Sequence, residues 1–280
     1  MDILIELPVE KWPLLQTKLR KLWPLNLPGY YALHVNLKYP KVREAFKFKV
    51  YCPHGDMDYG FVSINEKDQQ DIIMFSITKD TSQIEETVLK TKLIDWSKTV
   101  FFDLITSLTL QVVERVRDDM QLEKYHVGTA KMYHLEGTTK LFTDLRSPAG
   151  TYLSSVKPAD IARVNDTWSF KYSFSHTYFT TLASNGLSYG LYSSETDALL
   201  AWIFINEYNF LCHLYCEEQH RRLGYGEYVM KCAVNDLLKE GHDVYGYVVD
   251  GNKKPLAIFQ KFGFKAVDDA VYIYILRKLL

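Results

Sequence analysis

The sequence predicts a mixed α+β and α/β protein made of two halves. Three observations carry that prediction. Strand-like runs come in series before each long helical stripe, a polar stretch from Glu136 to Gly150 interrupts the pattern near the middle, and one strand in the second half runs into a glycine-bearing turn that opens a helix. Of the 280 residues, 47% are hydrophobic and 14% aromatic, enough to fill two ordinary cores. The formal charge of -1 leaves no broad basic face, which argues against nucleic acid or an anionic membrane as partner.

In the first half, Trp12, Leu15 and Leu19 share one face of a helix. Strand-like runs follow at Tyr30 to Leu37, Phe46 to Tyr51, Tyr59 to Ile64 and Ile72 to Ile77. Phe101, Leu104, Ile105, Leu108, Val112 and Val116 then recur at helical spacing, which predicts one long amphipathic helix, with a strand at Val127 to His134 after it. Cys52-Pro53-His54-Gly55-Asp56 has the chemistry of a hairpin loop. The polar stretch sets a boundary, giving an N-terminal α+β domain over 1–146 and a second domain over 147–280.

The second half begins with a short strand near Leu153 and a helix whose Val164 and Trp168 lie one turn apart. Tyr189 to Ser193, Leu199 to Ile205 and Phe210 to Cys216 form an antiparallel meander, with polar turns between them. After Cys216 comes Glu217-Glu218-Gln219-His220-Arg221-Arg222-Leu223-Gly224-Tyr225-Gly226, and then Tyr228, Val229, Cys232, Ala233 and Leu237 mark a helix that Gly241 ends. A strand from Asp243 to Asp250, a short helix opened by Asn252 and Pro255 and closed by Gly263, and a strand from Val271 to Leu276 complete the chain.

A strand that feeds a glycine turn and a helix N-terminus makes an anion site, because the first backbone N–H groups of a helix lack intrahelical partners and the peptide dipoles point their positive end there. The nucleotide P-loop spacing does not fit, and the third glycine of a dinucleotide fingerprint is replaced by Val229. Arg221-x-x-Gly224-x-Gly226 after Leu214-x-Cys216 instead resembles the pyrophosphate loop of the GNAT (GCN5-related N-acetyltransferase) superfamily. Asn252 to Phe264, ending Phe259-Gln260-Lys261-Phe262-Gly263-Phe264, resembles that superfamily's second motif. Leu153-Ser154 followed by Val164-Asn165-x-x-Trp168 is similar to the glycine N-acyltransferase-like branch.

This resemblance implies a C-terminal GNAT fold, a mixed and mostly antiparallel sheet with a parallel crossover at the coenzyme loop, and a first half that is a degenerate GNAT-like domain without such a loop. It implies acetyl-CoA or another acyl-CoA as co-substrate, bound by Leu214, Cys216, Arg221, Arg222, Leu223, Gly224, Tyr225, Gly226, Asn252 and Phe259, and a small-molecule amine, such as an amino acid, as acceptor. Main-chain N–H groups near Leu214 would hold the thioester carbonyl. Two family positions depart from the pattern: the usual glutamate is Phe210 and the usual tyrosine acid is Phe259. Substitute bases are Glu207 in the preceding turn, His213 on the strand, and His176. Strict alternation would turn His213 to the face opposite Phe210, Cys212 and Leu214, which ranks it below Glu207. The missing proton-transfer residues keep a non-catalytic acyl-CoA-binding sensor or scaffold open, and acceptor loops that cannot be read leave a protein N-acetyltransferase open as well.

The sequence favours no metal. Cys212 and Cys216 bracket His213 on one strand without a second ligand pair, and buried thiols are the expectation for all four cysteines. The acids and proline in Met1 to Pro8 lack the character of a signal peptide, so the expected location is intracellular, cytoplasmic, with mitochondria left open.

Overall fold

The structure is a computed structural model that describes residues 2–67 and 69–278. The chain divides into two compact units. One comprises Met1–Met132, Val248–Asn252 and Ala266–Leu280, and the other Tyr133–Tyr247 and Lys253–Lys265. The junction expected at 146 and 147 therefore falls within the second unit, and the C-terminal strand counts with the first.

The first unit runs through β1 (Leu4–Glu6), α1 (Trp12–Leu19), α2 (Leu27–Lys38), α3 (Pro40–Ala45), β2 (Phe48–Pro53), β3 (Phe61–Glu66), β4 (Gln70–Phe75), α4 (Ser82–Lys90), β5 (Val100–Ile105), α5 (Leu110–Asp119) and β6 (Leu122–Leu135), whose last residues belong to the second unit. The second continues with β7 (Thr151–Ser154), α6 (Ile161–Thr167), α7 (Ser175–Ser184), β8 (Ser188–Ser193), β9 (Leu199–Ile205), β10 (Leu211–Cys216), α8 (Tyr225–Lys239), β11 (Val244–Val249) and α9 (Lys253–Lys261), before β12 (Lys265–Lys278). Apart from α3, the two halves repeat one order: strand, two helices, three strands, helix, strand, helix, strand.

In the first unit the strand order is β1-β2-β3-β4-β5-β12-β6. β1 to β4 pair antiparallel, and β4 pairs β5 in parallel across the α4 crossover. Ile72, Phe102, Val112, Val116 and Leu276 are fully buried in one cluster between sheet and helices. In the second unit the order is β11-β10-β9-β8-β7, antiparallel except for the parallel β10–β11 pair across α8. Its core holds Phe179, Trp202, Phe204, Val229 and Ala233, each nearly or fully excluded from water; a fully buried large apolar side chain contributes about 1.5–3 kcal/mol.

Two elements of the first half differ from the sequence reading. The run Tyr30 to Leu37 is helical within α2, not a strand. Tyr31, Ala32, Leu33, Val35 and Asn36 are all buried, so the helix has almost no polar stripe to reveal its period, although Pro28 in its first turn is a start signal. The stripe from Phe101 to Val116 is β5 followed by α5, broken where Thr106 and Thr109 cap each other's backbone N–H groups. The loop at Cys52 to Asp56 does connect antiparallel β2 and β3, with His54 and Gly55 in left-handed conformations.

Candidate functional site

The geometry of the second unit turns on β10. Its antiparallel pairing with β9 holds Leu211 opposite Ile205 and Cys212 opposite Phe204, then slips by one residue so that Tyr215 faces Trp202. The extra residue makes a bulge, and His213 within it has φ of 54°. On its other edge β10 meets β11 in register at Leu211 and Gly246. That is the one register pair between the two strands among the described residues. In the first unit the corresponding parallel pair is closed over three registers, from Gln70–Val100 to Ile72–Phe102.

The strand ends at a short 3-10 turn, Glu218–His220, that leads to α8. Gly224 is the N-cap of α8 in the left-handed conformation, φ 80° and ψ 1°, and no side chain caps the helix. A Cβ built on Gly224 would meet nothing within 4 Å, so the glycine serves conformation rather than close packing. A Cβ on Gly226 would touch Leu214 Cδ1 at 3.8 Å and Cys216 Cβ at 3.9 Å, which puts the first turn of α8 directly on β10. Arg222 is exposed and also left-handed, at φ 67°. Arg221 turns back, donating from Nε to the Cys216 carbonyl at 3.2 Å and from Nη1 to Glu218 at 2.9 Å, with its guanidinium over the Tyr215 ring. Leu223 is a largely exposed apolar side chain beside the turn, and Tyr225 stacks on His220. Leu214, Cys216 and residues 221 to 226 thus lie together at the junction of β10 and α8.

Glu217, which the sequence reading passed over, fixes the base of that loop. It is buried, its N–H bonds the Leu200 carbonyl of β9 at 2.9 Å, and its carboxylate accepts Nε and Nη2 of Arg163 on α6 at 2.8 and 2.7 Å. A bidentate fork to a carboxylate was not legible because its members lie 54 positions apart.

The other candidates separate. Asn252 is exposed at the turn before α9 and counts with the first unit, its N–H bonded to the Val249 carbonyl. Phe259 is buried, with its ring against Gly246, Tyr133 and Phe264. Phe210 packs edge-on against Tyr247 and tilted against Tyr245. Both departures from the family pattern are therefore apolar ring contacts. His176 is exposed on α7.

His213 is not on the face that strict alternation assigns it, because the bulge interrupts the period of two. The Oη of Tyr178 on α7 lies 3.2 Å from His213 Nε2 and 3.9 Å from Cys212 Sγ, so strand neighbours 212 and 213 both face the same helix. The imidazole is boxed by Trp168 and Phe179, each 4.8 Å from its centroid. Burial pushes its pKa down to about 3, and burial also drives the Tyr178 hydroxyl and the Cys212 thiol well above their usual ranges. Glu207 is buried in the β9–β10 turn, and its charge adds to the upward push on Tyr178 and Cys212. Among the described residues no group of three His, Cys, Asp or Glu side chains is placed to hold a metal ion, and no helix is long and apolar enough to cross a membrane.

In comparisons with known proteins, a family model described as FR47-like protein matches residues 188–273, and one described as a domain of unknown function (DUF5645) matches 3–118. No curated protein matches. A Drosophila protein solved by a structural genomics consortium superposes with a TM-score of 0.85 at 18% identity, over 100% of this chain and 99% of that one. A tandem GNAT protein from the clavulanic acid biosynthesis pathway gives 0.54 at 10% identity, over 98% and 96%. A GCN5-related N-acetyltransferase from Sphaerobacter thermophilus gives 0.52 at 9%, over 82% and 80%. With the repeated element order, these likenesses show a tandem GNAT-like fold with two GNAT-like halves.

Proposed function

We propose that this chain is an acyl-coenzyme A-dependent N-acyltransferase whose second half binds the coenzyme. One observation carries the reading: an uncapped helix N-terminus, opened by left-handed Gly224, stands beside a strand that pairs with its parallel neighbour at a single register. The N–H groups of residues 222 to 226 would receive a pyrophosphate, with Arg222 adding charge, and the later residues of β10 would take the pantetheine arm. The residues fit such a ligand, since the space around Gly224 is open and no N-cap side chain closes the start of α8, although the Gly226 N–H meets the Cys216 thiol.

In this reading an amine nitrogen attacks the thioester carbon and the carbon–sulfur bond breaks. The acyl group leaves as an amide and the coenzyme as a thiolate that takes up the proton. Main-chain N–H groups at the bulge would bind the carbonyl oxygen as it gains charge. The acceptor we favour is the amine of a small molecule such as an amino acid, following the resemblance of Leu153-Ser154 and Val164 to Trp168 to the glycine N-acyltransferase-like branch. His213 is a poor base in its box, with Nε2 already engaged by Tyr178, so Glu207 is the better candidate.

The first half would not bind coenzyme. The loop after β4 satisfies its own donors: Ser76 Oγ accepts from Thr78 N–H, Thr78 Oγ1 from Asp80 N–H, and the Asp80 carboxylate from Ser82 N–H at 2.9 Å, where α4 begins. A carboxylate at that helix start repels a diphosphate.

A second reading, a non-catalytic acyl-CoA-binding protein, is favoured by the apolar packing of Phe210 and Phe259 at the two family proton-transfer positions. Calorimetry with CoA tests what both share. Free thiol release from acetyl-CoA and longer acyl-CoA donors, against a panel of amino acids and other amines, separates them: release that depends on an amine supports transfer, and binding without release supports the second reading.

A further inference from the structure

We propose that the Tyr178–His213 hydrogen bond is a lock that holds the β10 bulge in shape, so that Tyr178 and His213 are positioning residues for thioester recognition. The inference rests on the coenzyme reading above. A bulge leaves main-chain groups unpaired within a sheet, and one of its residues must take an unusual conformation. Here that residue is a histidine at φ 54°, where a β-carbon is strained and glycine would be the easy choice. Something must repay that strain, and the surroundings of the side chain do so. The ring stands edge-on to Trp168 and Phe179 at 4.8 Å, to Tyr178 at 5.6 Å and to Phe204 at 6.2 Å, while Tyr178 Oη holds Nε2 at 3.2 Å.

Tyr178 is itself fixed, because it lies on α7 and its ring is stacked on Trp168. The direction of the imidazole therefore dictates the backbone of residues 213 and 214, whose N–H groups would face the thioester carbonyl. Tyr178→Phe keeps the ring and its packing and removes only the hydroxyl. His213→Asn keeps a residue that tolerates the left-handed region and removes the ring.

The test is calorimetry of the full chain with CoA and with acetyl-CoA, which differ by the carbonyl that the bulge would hold. One hydrogen bond of about 1 kcal/mol makes acetyl-CoA bind about fivefold tighter than CoA in the wild type. In Tyr178→Phe and in His213→Asn the preference should fall to about one, with CoA affinity unchanged. Amide hydrogen exchange in the ligand-free protein should quicken at residues 212 to 215 in both variants, with the melting temperature lowered by only a few degrees. A wild type that binds neither ligand overturns the coenzyme reading itself. A preference retained in both variants, an equal loss of both ligands, or unchanged exchange at 212 to 215 overturns the lock while leaving the coenzyme reading standing.

Discussion

Replacing Gly224 by valine should weaken coenzyme binding far more than it weakens the fold. The glycine sits at φ 80°, and a Cβ there would strike nothing within 4 Å, so the cost is conformational and not a clash. For a residue with a β-carbon the left-handed region costs about 1–2 kcal/mol, more when it is β-branched. The start of α8 escapes that cost by rotating the 223–225 backbone, which turns the helix's leading N–H groups away from a common point. A hydrogen bond to a charged oxygen is worth about 1.5–3 kcal/mol, so misdirecting one lowers CoA affinity about ten- to a hundredfold. A stability loss of about 1 kcal/mol lowers the melting temperature of a chain this size by only a few degrees. Gly224→Asn, which tolerates the same region, should retain most of the affinity. Calorimetry with CoA and a thermal melt read both quantities. Wild-type affinity in Gly224→Val, or equal loss in the valine and asparagine variants, would refute the reasoning.

Gly226→Ala, in the first turn of α8 with its Cβ making only ordinary contacts with Leu214 and Cys216, should raise the melting temperature slightly because alanine restricts the unfolded chain, worth about 0.4–1 kcal/mol; a lower melting temperature contradicts the placement. Arg163→Ala leaves the buried Glu217 carboxylate without its fork and should cost about 1–2 kcal/mol in urea unfolding, reduced by the half-exposed arginine; Arg163→Lys should recover part of it, and no loss in either variant rules the strap out. His213 should shape the acid limb of stability. Its pKa in the folded protein, about 3, lies below the ordinary value near 6.5, so between those limits the unfolded chain binds more protons. The contribution is complete above pH 6.5 and declines as pH falls towards 3, by at most about 1.4 kcal/mol per pH unit. Urea titrations from pH 7 to 4 should show a shallower slope for His213→Asn, and an unchanged slope contradicts a neutral, enclosed imidazole.

The elements of the second half were legible because local signals agree there. The strand runs of β8, β9 and β10 bounded by polar turns, the glycine at 224 and the stripe of α8 point to one answer without tertiary help. The first half was less legible where burial hides periodicity, as in α2, or where a strand and a helix happen to continue one stripe, as from Phe101 to Val116. At the site, the loop and its anion chemistry follow from consecutive residues. The Arg163–Glu217 fork and the Tyr178–His213 bond depend on partners dozens of positions away, and the burial of Phe259 on Gly246 on one 13 positions away in another element, beyond any window of pattern. The facing of His213 failed for a different reason: a bulge shifts a strand's period by one residue, and no glycine marks it.

The two halves make the functional argument sharper than either would alone. Both carry a strand, a crossover helix and a parallel strand, so backbone architecture by itself would not explain the coenzyme binding we propose for one and not the other. What differs is the junction. After β4 the loop is laced by Ser76, Thr78 and Asp80, the Asp80 carboxylate accepts the first N–H of α4, and β4 pairs β5 over three registers. After β10 a left-handed glycine leaves the helix start uncapped, an exposed arginine adjoins it, and β10 pairs β11 at a single register. A diphosphate needs free donors and positive potential. The second junction offers an uncapped helix start beside an exposed arginine where the first offers an acid, so one equivalent of CoA per chain is the expected stoichiometry. Two equivalents, or a site that survives Gly224→Val, would place binding elsewhere.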